Sequence, residues 1–143
     1  MSSSLDVHSL IKALDNENNQ ALMDLDYKKI SSEKNAVLDN LGLPREERIA
    51  IIRKLKCYRY IDGAHDLQYG HYIRWISLRD PSRIRLTNGG LVCEIKVCDE
   101  GIHVVCKNNM NRMFQLNLSE NLVFQRLTDQ ERVLLAALQH LNS

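Results

Sequence analysis

The stretch from Tyr69 to Thr128 most constrains the fold, because it combines runs of aromatic and β-branched residues with tight turns. Asn88-Gly89-Gly90 and Asp99-Glu100-Gly101 interrupt these runs where hairpins would turn. No segment between the strands is long enough for a crossover helix. The stretch therefore predicts an antiparallel sheet, or a small partly open barrel, of five to six strands.

The positions of the individual strands follow from the alternation of apolar and polar residues and from the turn residues between them. We expect strands at Tyr58–Ile61, from about Tyr69, at Ile84–Thr87, at Leu91–Cys98, at Gly101–Lys107, at Arg112–Leu118 and at Leu122–Gln125. Between Leu91 and Cys98, strict alternation assigns Leu91, Cys93, Ile95 and Val97 to one face. Asp80-Pro81-Ser82 is expected to form a turn.

Apolar residues at helical spacing predict helices before and after the sheet. Before it, helices are expected from Ser4, from Gln20 to Ile30, from a Ser31 or Ser32 cap to Gly42, and from Pro44 as a first helical residue. After it, Thr128 and Glu131 form a capping box that opens a C-terminal helix. The class is therefore α+β in a single domain, with a helical part (1–57), an antiparallel β part (58–127) and a C-terminal helix (128–143).

Composition indicates a globular protein, since 44% of the 143 residues are apolar and 26% are charged. No run of apolar residues is long enough for a membrane span. The N-terminal residues Met1–Asp6 lack the features of a secretory signal. Four cysteines in such a chain predict free thiols in a reducing compartment, and hence an intracellular protein.

The net charge of +1 hides a basic central block. Residues 44–85 contain ten Lys/Arg and five Asp/Glu, a net charge of +5. Such a block is a candidate for contact with an anionic partner, and a solvated basic face is the alternative. The candidate phosphate contacts are Arg53, Lys54, Lys56, Arg59, Arg79, Arg83 and Arg85.

Aromatic residues accompany these cations in the strand that follows Tyr69. Arginine matches phosphate bidentately and aromatic rings can stack on bases. Alternation puts Tyr72 and Arg74 on one face and Ile73 and Trp75 on the other. Since a sheet needs a core face, Trp75 is expected to be a core anchor more than a platform for bases.

The helix pair joined by Leu41-Gly42-Leu43-Pro44 resembles a helix-turn-helix only in outline. Leu38 stands where a small residue is usual, four positions before the turn glycine. The second helix opens with Glu46 and Glu47, which would face phosphates. The pattern favours an ordinary αα-hairpin packed on the sheet.

Two side-chain sets could support metal binding or catalysis. Cys93, Cys98, His103 and Cys106 are zinc-ligand types, but strand parity points them to different faces, and small core cysteines are the alternative. The second set is Asp62, His65, Asp66 and His71. It lacks the further ligands of a hydrolase site, and no phosphate-binding glycine loop is present. We therefore expect no enzyme activity, no cofactor and no metal.

Four segments resemble a small, poorly characterised family of proteins from large DNA viruses that infect amoebae. They are Tyr72-Ile73-Arg74-Trp75-Ile76, Leu86-Thr87-Asn88-Gly89-Gly90, Cys106-Lys107-Asn108 and Phe124-Gln125-Arg126-Leu127-Thr128. The resemblance covers roughly residues 58–138. It implies a viral protein that acts in the cytoplasm or nucleus of the infected cell, or in the virion, and it supplies no site residues.

These observations favour a non-enzymatic protein that binds DNA, RNA or chromatin through its basic block. The alternative is a protein-interaction adaptor or virion component that binds through apolar helices or a sheet edge, and a metal-dependent enzyme is a third hypothesis. The C-terminal helix carries surplus apolar residues. They predict a homodimer or partner interface at Leu134, Leu138 and Leu141.

Overall fold

The computed structural model describes residues 26–141. The helix expected from Ser4 and the start of the helix expected from Gln20 lie outside them. The helices are α1 (Tyr27–Asp39), α2 (Arg45–Lys54) and α3 (Asp129–Leu141), and the strands are β1 (Tyr58–Ile61), β2 (Tyr72–Ser77), β3 (Gly90–Cys98), β4 (Gly101–Lys107), β5 (Met113–Asn117) and β6 (Asn121–Arg126). The expected α+β class is confirmed.

The chain forms two compact units. Residues 33–126 make up one unit, and the described residues 26–32 and 127–141 belong to the other. The expectation of a single domain stays a prediction. Among the described helices, none combines the length and the apolar character that a membrane crossing requires.

The smaller unit is built on α3. Its N-terminus has the predicted capping box, in which Thr128 N donates to Glu131 Oε1 at 2.9 Å and Glu131 N donates to Thr128 Oγ1 at 3.1 Å. Leu134 and Leu135 of this helix pack in a buried cluster with Ile30 and Leu127. The cap and this apolar cluster explain why the helix forms here.

The larger unit contains one antiparallel sheet with the strand order β1-β6-β2-β3-β4-β5. β2 to β5 follow one another as a meander, whereas β6 pairs between β1 and β2. A 3-10 turn at Leu118–Glu120 carries the chain from β5 to β6 and contacts both β4 and β6. The sheet therefore curls into a partly open barrel, with β1 and β5 at its free edges.

The sheet buries apolar residues on both faces. On the inner face of the curl, Ile73 and Val92 belong to one buried cluster, and Trp75 packs against it as expected. On the outer face, Ile76 and Phe124 pack with α-helical residues of the larger unit, including Leu38. The pair α1–α2 is thus the αα-hairpin that the sequence favoured.

A bulge in β3 overturns the expected alternation. The register with β4 shifts between Val92 and Glu94, so Cys93 is the extra residue. After the shift, Val92 and Ile95 face the same inner cluster, although they are three residues apart. Cys93 is left exposed, and Leu91 is 42% exposed.

The expected helix boundaries need correction. Ser31 and Ser32 lie inside α1, which begins instead after Asp26, whose Oδ1 accepts from Lys29 N at 2.7 Å. Pro44 precedes the first residue of α2 and acts as its N-cap position. Gly42 has the positive φ, 64°, that suits the chain reversal after a helix.

The segment before β3 is a loop and not the strand expected at Ile84–Thr87. An isolated β-bridge from Leu86 to Ile76 and a hydrogen bond from Thr87 N to Trp75 O, at 3.0 Å, join it to β2 without forming a strand. Arg83 N donates to Asp80 O at 3.0 Å, so the predicted Asp80-Pro81-Ser82 turn is confirmed. The strand expected from Tyr69 begins at Tyr72.

Candidate nucleic-acid interface

Three of the predicted phosphate contacts lie at the end of α2. Arg53 and Lys54 occupy its last turn, Lys56 follows two residues later, and all three are exposed. None of them has an ion-pair partner within residues 26–141. β1 begins at Tyr58, so these cations lead directly into the edge of the sheet.

Arg59 does not fit the predicted role. Its side chain is only 4% exposed, and its Nη1 lies 3.7 Å from Asp66 Oδ1. Arg59 Nη2 also donates to the backbone oxygen of Asp66 at 3.2 Å. Alternation in β1 turns this guanidinium inward, so Arg59 holds the segment after β1 in place and is unavailable to phosphate.

The remaining predicted contacts lie in the loop that joins β2 to β3. Arg79 Nε is 3.4 Å from Glu120 Oε2, and Arg83 Nε is 3.9 Å from Asp80 Oδ2, with both arginines more than three-quarters exposed. Such exposed ion pairs contribute little to stability, so the arginines can readily exchange their carboxylate partners for other anions. Arg85 is exposed, and with Arg83 it lines a groove of about 750 Å³ beside the α1–α2 connection.

A second cationic surface crosses the outer face of the sheet. It contains one side chain from each strand, and we call it the outer-face row: Tyr58, Arg126, Tyr72, Leu91, Lys107 and Met113. Tyr58 pairs with Arg126, Tyr72 with Leu91, Leu91 with Lys107, and Lys107 with Met113. The pairing of Ile73 with Gln125 places Arg126 beside Tyr72.

The outer-face row carries positive charge next to aromatic rings. Arg126 and Lys107 are exposed, and neither forms an ion pair with any residue of the described range. Arg74 lies on the same face of β2 as Tyr72, and its Nε donates to Thr87 O at 2.8 Å. Burial raises the pKa of Tyr58, while the nearby charges of Arg74 and Arg126 act to lower it. The phenol is therefore neutral and stands in a positive potential.

Sequence reasoning missed both cations of this row. Arg126 and Lys107 lie outside residues 44–85, the basic block in which the local net charge predicted the phosphate contacts. Strand parity correctly placed Tyr72 and Arg74 on one face. The insertion of β6 between β1 and β2 depends on pairing between strands that are distant in the chain, and no local sequence pattern predicts it.

The two sets of candidate ligands do not form metal sites. Within residues 26–141, no group of three or more His, Cys, Asp or Glu side chains is placed to hold a metal ion. Cys106 is buried, as the alternative of small core cysteines expects, but that alternative is wrong for Cys93, which the bulge leaves exposed as Cys98 is. In the second set, Asp66 lies against Arg59, and its Oδ2 is 3.4 Å from His65 Nε2.

The three leucines of the predicted dimer or partner interface differ in exposure. Leu134 is fully buried in the smaller unit, and Leu138 is partly buried against the same cluster. Leu141 is 78% exposed. Of the three, Leu141 alone presents a large apolar surface for contact with another chain.

Comparison with known proteins gave no match. No protein-family model, no curated protein and no solved structure matched this chain. Any function must therefore be argued from the side chains and their arrangement.

Proposed function

We propose that this chain is a non-enzymatic nucleic-acid-binding protein that holds a strand against its outer-face row. The observation that carries the proposal is the alternation of Tyr58, Arg126 and Tyr72 on three adjacent strands, with Lys107 further along the same line. Cations without intramolecular partners bind phosphates, and adjacent aromatic rings can stack on bases.

The dimensions of the sheet suit an extended strand. Neighbouring strands lie about 4.8 Å apart, so Arg126 and Lys107, which are separated by three strand spacings, stand roughly 14 Å from each other. Two cations at that distance contact different phosphates of one strand. The half-buried rings of Tyr58 and Tyr72 also favour a single strand, because its unpaired bases are free to stack on them, whereas the bases of a duplex are already stacked on one another.

The end of α2 extends the same surface. Arg53, Lys54 and Lys56 precede Tyr58, the first residue of the row, and they add three exposed charges. With these three cations and the row's Arg126 and Lys107 each contacting a phosphate, log affinity for a single strand should fall with log salt with a slope of about −3.5. The near-neutral net charge of +1 implies that binding relies on this local surface.

The biological setting of the proposal comes from the resemblance to proteins of large DNA viruses. It would place the protein inside an infected cell, in the cytoplasm or nucleus, or in the virion. Viral or host DNA, RNA or chromatin would then be the partner. A homodimer would double the basic surface and strengthen binding.

A salt series tests the proposal. Labelled single-stranded and duplex DNA of random sequence would be titrated with the protein at several salt concentrations. The proposal expects binding at low salt, a linear fall of log affinity with log salt, and a preference for the single strand. If the folded protein does not bind at low salt, the proposal is wrong.

An interaction protein is the second candidate, and the edge strand β5 favours it. Met113–Asn117 contains no charged residue and no proline, and Met113 and Phe114 are 56% and 44% exposed. Natural edge strands usually carry charged residues or proline, which prevent pairing with another chain, and β5 has neither. Phe114→Lys should disrupt an association through β5, whereas Leu141→Lys should disrupt one through α3. Sedimentation of both variants distinguishes these surfaces.

A further inference from the structure

The free edge of β5 presents backbone groups that no strand of the described chain pairs with. β5 is the last strand of the sheet and pairs with β4 alone. Asn108 N donates to Arg112 O at 3.0 Å, so these residues form a hydrogen-bonded pair where the β4–β5 ladder begins. Hydrogen-bonded and non-hydrogen-bonded pairs alternate along an antiparallel ladder. Phe114 therefore directs its backbone N–H and C=O towards β4, whereas Met113 and Gln115 direct theirs away from it.

The part of this edge that is free for pairing is short and symmetric. Before it, Asn111 has a positive φ of 63°, which ends the extended backbone. After it, Asn117 O already accepts from Asn121 Nδ2 at 2.8 Å, and the chain enters the 3-10 turn. The outward-directed backbone groups therefore come from Met113 and Gln115, and the single residue between them is the centre of the edge.

Apolar side chains lie uncovered at the same edge. Phe114 is on the inner face of the sheet, since it pairs with Cys106, which is fully buried in the inner cluster. Leu116, the next residue on that face, is buried, whereas Phe114 is exposed. Met110 and Met113 are exposed as well. The edge of β5 is therefore a margin of the apolar core that the described chain does not cover.

The opposite edge of the sheet is protected against pairing with another chain. β1 has only four residues, and Arg59 turns its guanidinium inward, where Asp66 Oδ1 lies 3.7 Å from Nη1. Short edge strands and inward-pointing charges prevent the edges of two molecules from pairing. β5 contains no charged residue. This difference indicates that β5 is the edge at which another strand can extend the sheet.

A second copy of this chain fits the edge because the edge is self-complementary. When two antiparallel copies place their Phe114 residues opposite each other, Met113 of each copy lies opposite Gln115 of the partner subunit. These two pairs carry the outward backbone groups and would exchange four hydrogen bonds. The two rings meet at a non-hydrogen-bonded position, where side chains are closest and aromatic pairs are stabilising. Arg112 lies opposite Leu116 of the partner subunit, so no like charges face each other.

We propose that the chain forms a homodimer in which the two β5 strands pair antiparallel about a two-fold axis at Phe114. The axis is perpendicular to the joined sheet, so the inner faces of both copies lie on one side and the outer faces on the other. The dimer itself does not depend on the proposed function. If that function holds, the two outer-face rows face the same way. The two copies of Lys107 are then three strand spacings apart, as Arg126 and Lys107 are within one copy.

Sedimentation velocity at a series of protein concentrations, without nucleic acid, tests the proposal. The natural protein should sediment as a dimer that dissociates on dilution. Phe114→Lys places two like charges opposite each other and should weaken dimerisation at least about tenfold. Val97→Lys is the matched control, because Val97 is an exposed apolar residue of β3, which is not an edge strand. It should dimerise like the natural protein, and circular dichroism checks that both variants fold.

Hydrogen exchange of the backbone amides, measured by NMR on the natural protein, tests the register without any variant. In the dimer, the N–H groups of Met113 and Gln115 should be protected, and dilution to the monomer should remove this protection. The N–H of Phe114 should stay protected at both concentrations, because it bonds to β4. If Phe114→Lys does not fold, this measurement decides the question.

The outcomes separate this proposal from the proposed function. A natural protein that stays monomeric at every concentration overturns the dimer and leaves the outer-face row for the salt series to test. A dimer that folded Phe114→Lys does not weaken, or whose Met113 and Gln115 amides exchange freely, also overturns the proposal, because the copies then meet elsewhere. A dimer with the expected protection that binds no DNA supports this proposal and overturns the proposed function.

Discussion

Tyr58 and Arg126 stand directly opposite each other on β1 and β6, although 68 residues separate them along the chain (126 − 58). This pairing exists because β6 inserts between β1 and β2. It brings an arginine from outside the basic block between two tyrosines. The proposed interface is therefore a product of sheet topology as much as of local charge.

Arg59 should matter for stability and not for binding. Arg59→Met leaves the carboxylate of Asp66 without its buried cation, so the free energy of unfolding should fall by about 2–4 kcal/mol. The exposed Arg53→Met is the matched control, and its free energy of unfolding should change by about 0.5 kcal/mol at most. Urea unfolding measures both. If Arg59→Met keeps its stability but binds DNA more weakly, the prediction is wrong and Arg59 contacts the nucleic acid.

Gly89 should be essential to the turn before β3. Its φ is 91°, and a Cβ there would lie 2.1 Å from the backbone oxygen of Ile73. Gly70 also has a positive φ, 78°, but a Cβ on it would meet nothing within 4 Å. Gly89→Ala should therefore cost at least about 3 kcal/mol of unfolding free energy and Gly70→Ala about 1 kcal/mol. Equal costs in urea unfolding would contradict the close packing of this turn.

The thiols should differ in reactivity. Burial, with a smaller contribution from Cys93, raises the pKa of Cys106 from 9.0 to about 11, whereas Cys93 and Cys98 are exposed. A thiol reagent at neutral pH should label Cys93 and Cys98 rapidly and Cys106 only after unfolding. Mass spectrometry after a labelling time course locates each adduct. Labelling of Cys106 at the rate of Cys98 would contradict its burial.

The same thiol should make stability depend on pH. Since the folded pKa of Cys106 exceeds the unfolded value, its contribution is fully present below pH 9.0 and is lost as pH rises to about 11. Cys106→Ala should unfold more easily at neutral pH, because it leaves a cavity, but should lose less stability across that window. Thermal unfolding at a series of pH values, beside the natural protein, measures the difference.

Much of the fold could be predicted from local pattern. The hairpin turn at Asp99-Glu100-Gly101, the strand at Tyr58–Ile61 and the Thr128–Glu131 capping box each depend on a few neighbouring residues, and all are present in the structure. The bulge at Cys93 could not be predicted, since a perfect alternation of residue types gives no sign of an inserted residue. The prediction from Ser31 and Ser32 was wrong because a serine acts as an N-cap only where a helix begins, and α1 already begins at Tyr27.

The candidate site could be predicted only in part. The exposed cations at the end of α2 follow from charge counting, and the burial of Arg59 follows from strand parity once the inner face is known. The outer-face row needs the order of six strands, which is a property of the whole chain. Arg126 and Lys107 therefore enter the site only through the structure.

The most direct test of the outer-face row is the salt dependence of single-stranded DNA binding by charge variants. Arg126→Gln and Lys107→Gln would be compared with Lys96→Gln, which removes an exposed charge from the same sheet near the β3–β4 turn. Each row variant should make the slope of log affinity against log salt shallower by about 0.7, and the double variant by about 1.4, while Lys96→Gln keeps the natural slope. Identical slopes for all four proteins and the natural chain would contradict phosphate binding by the row.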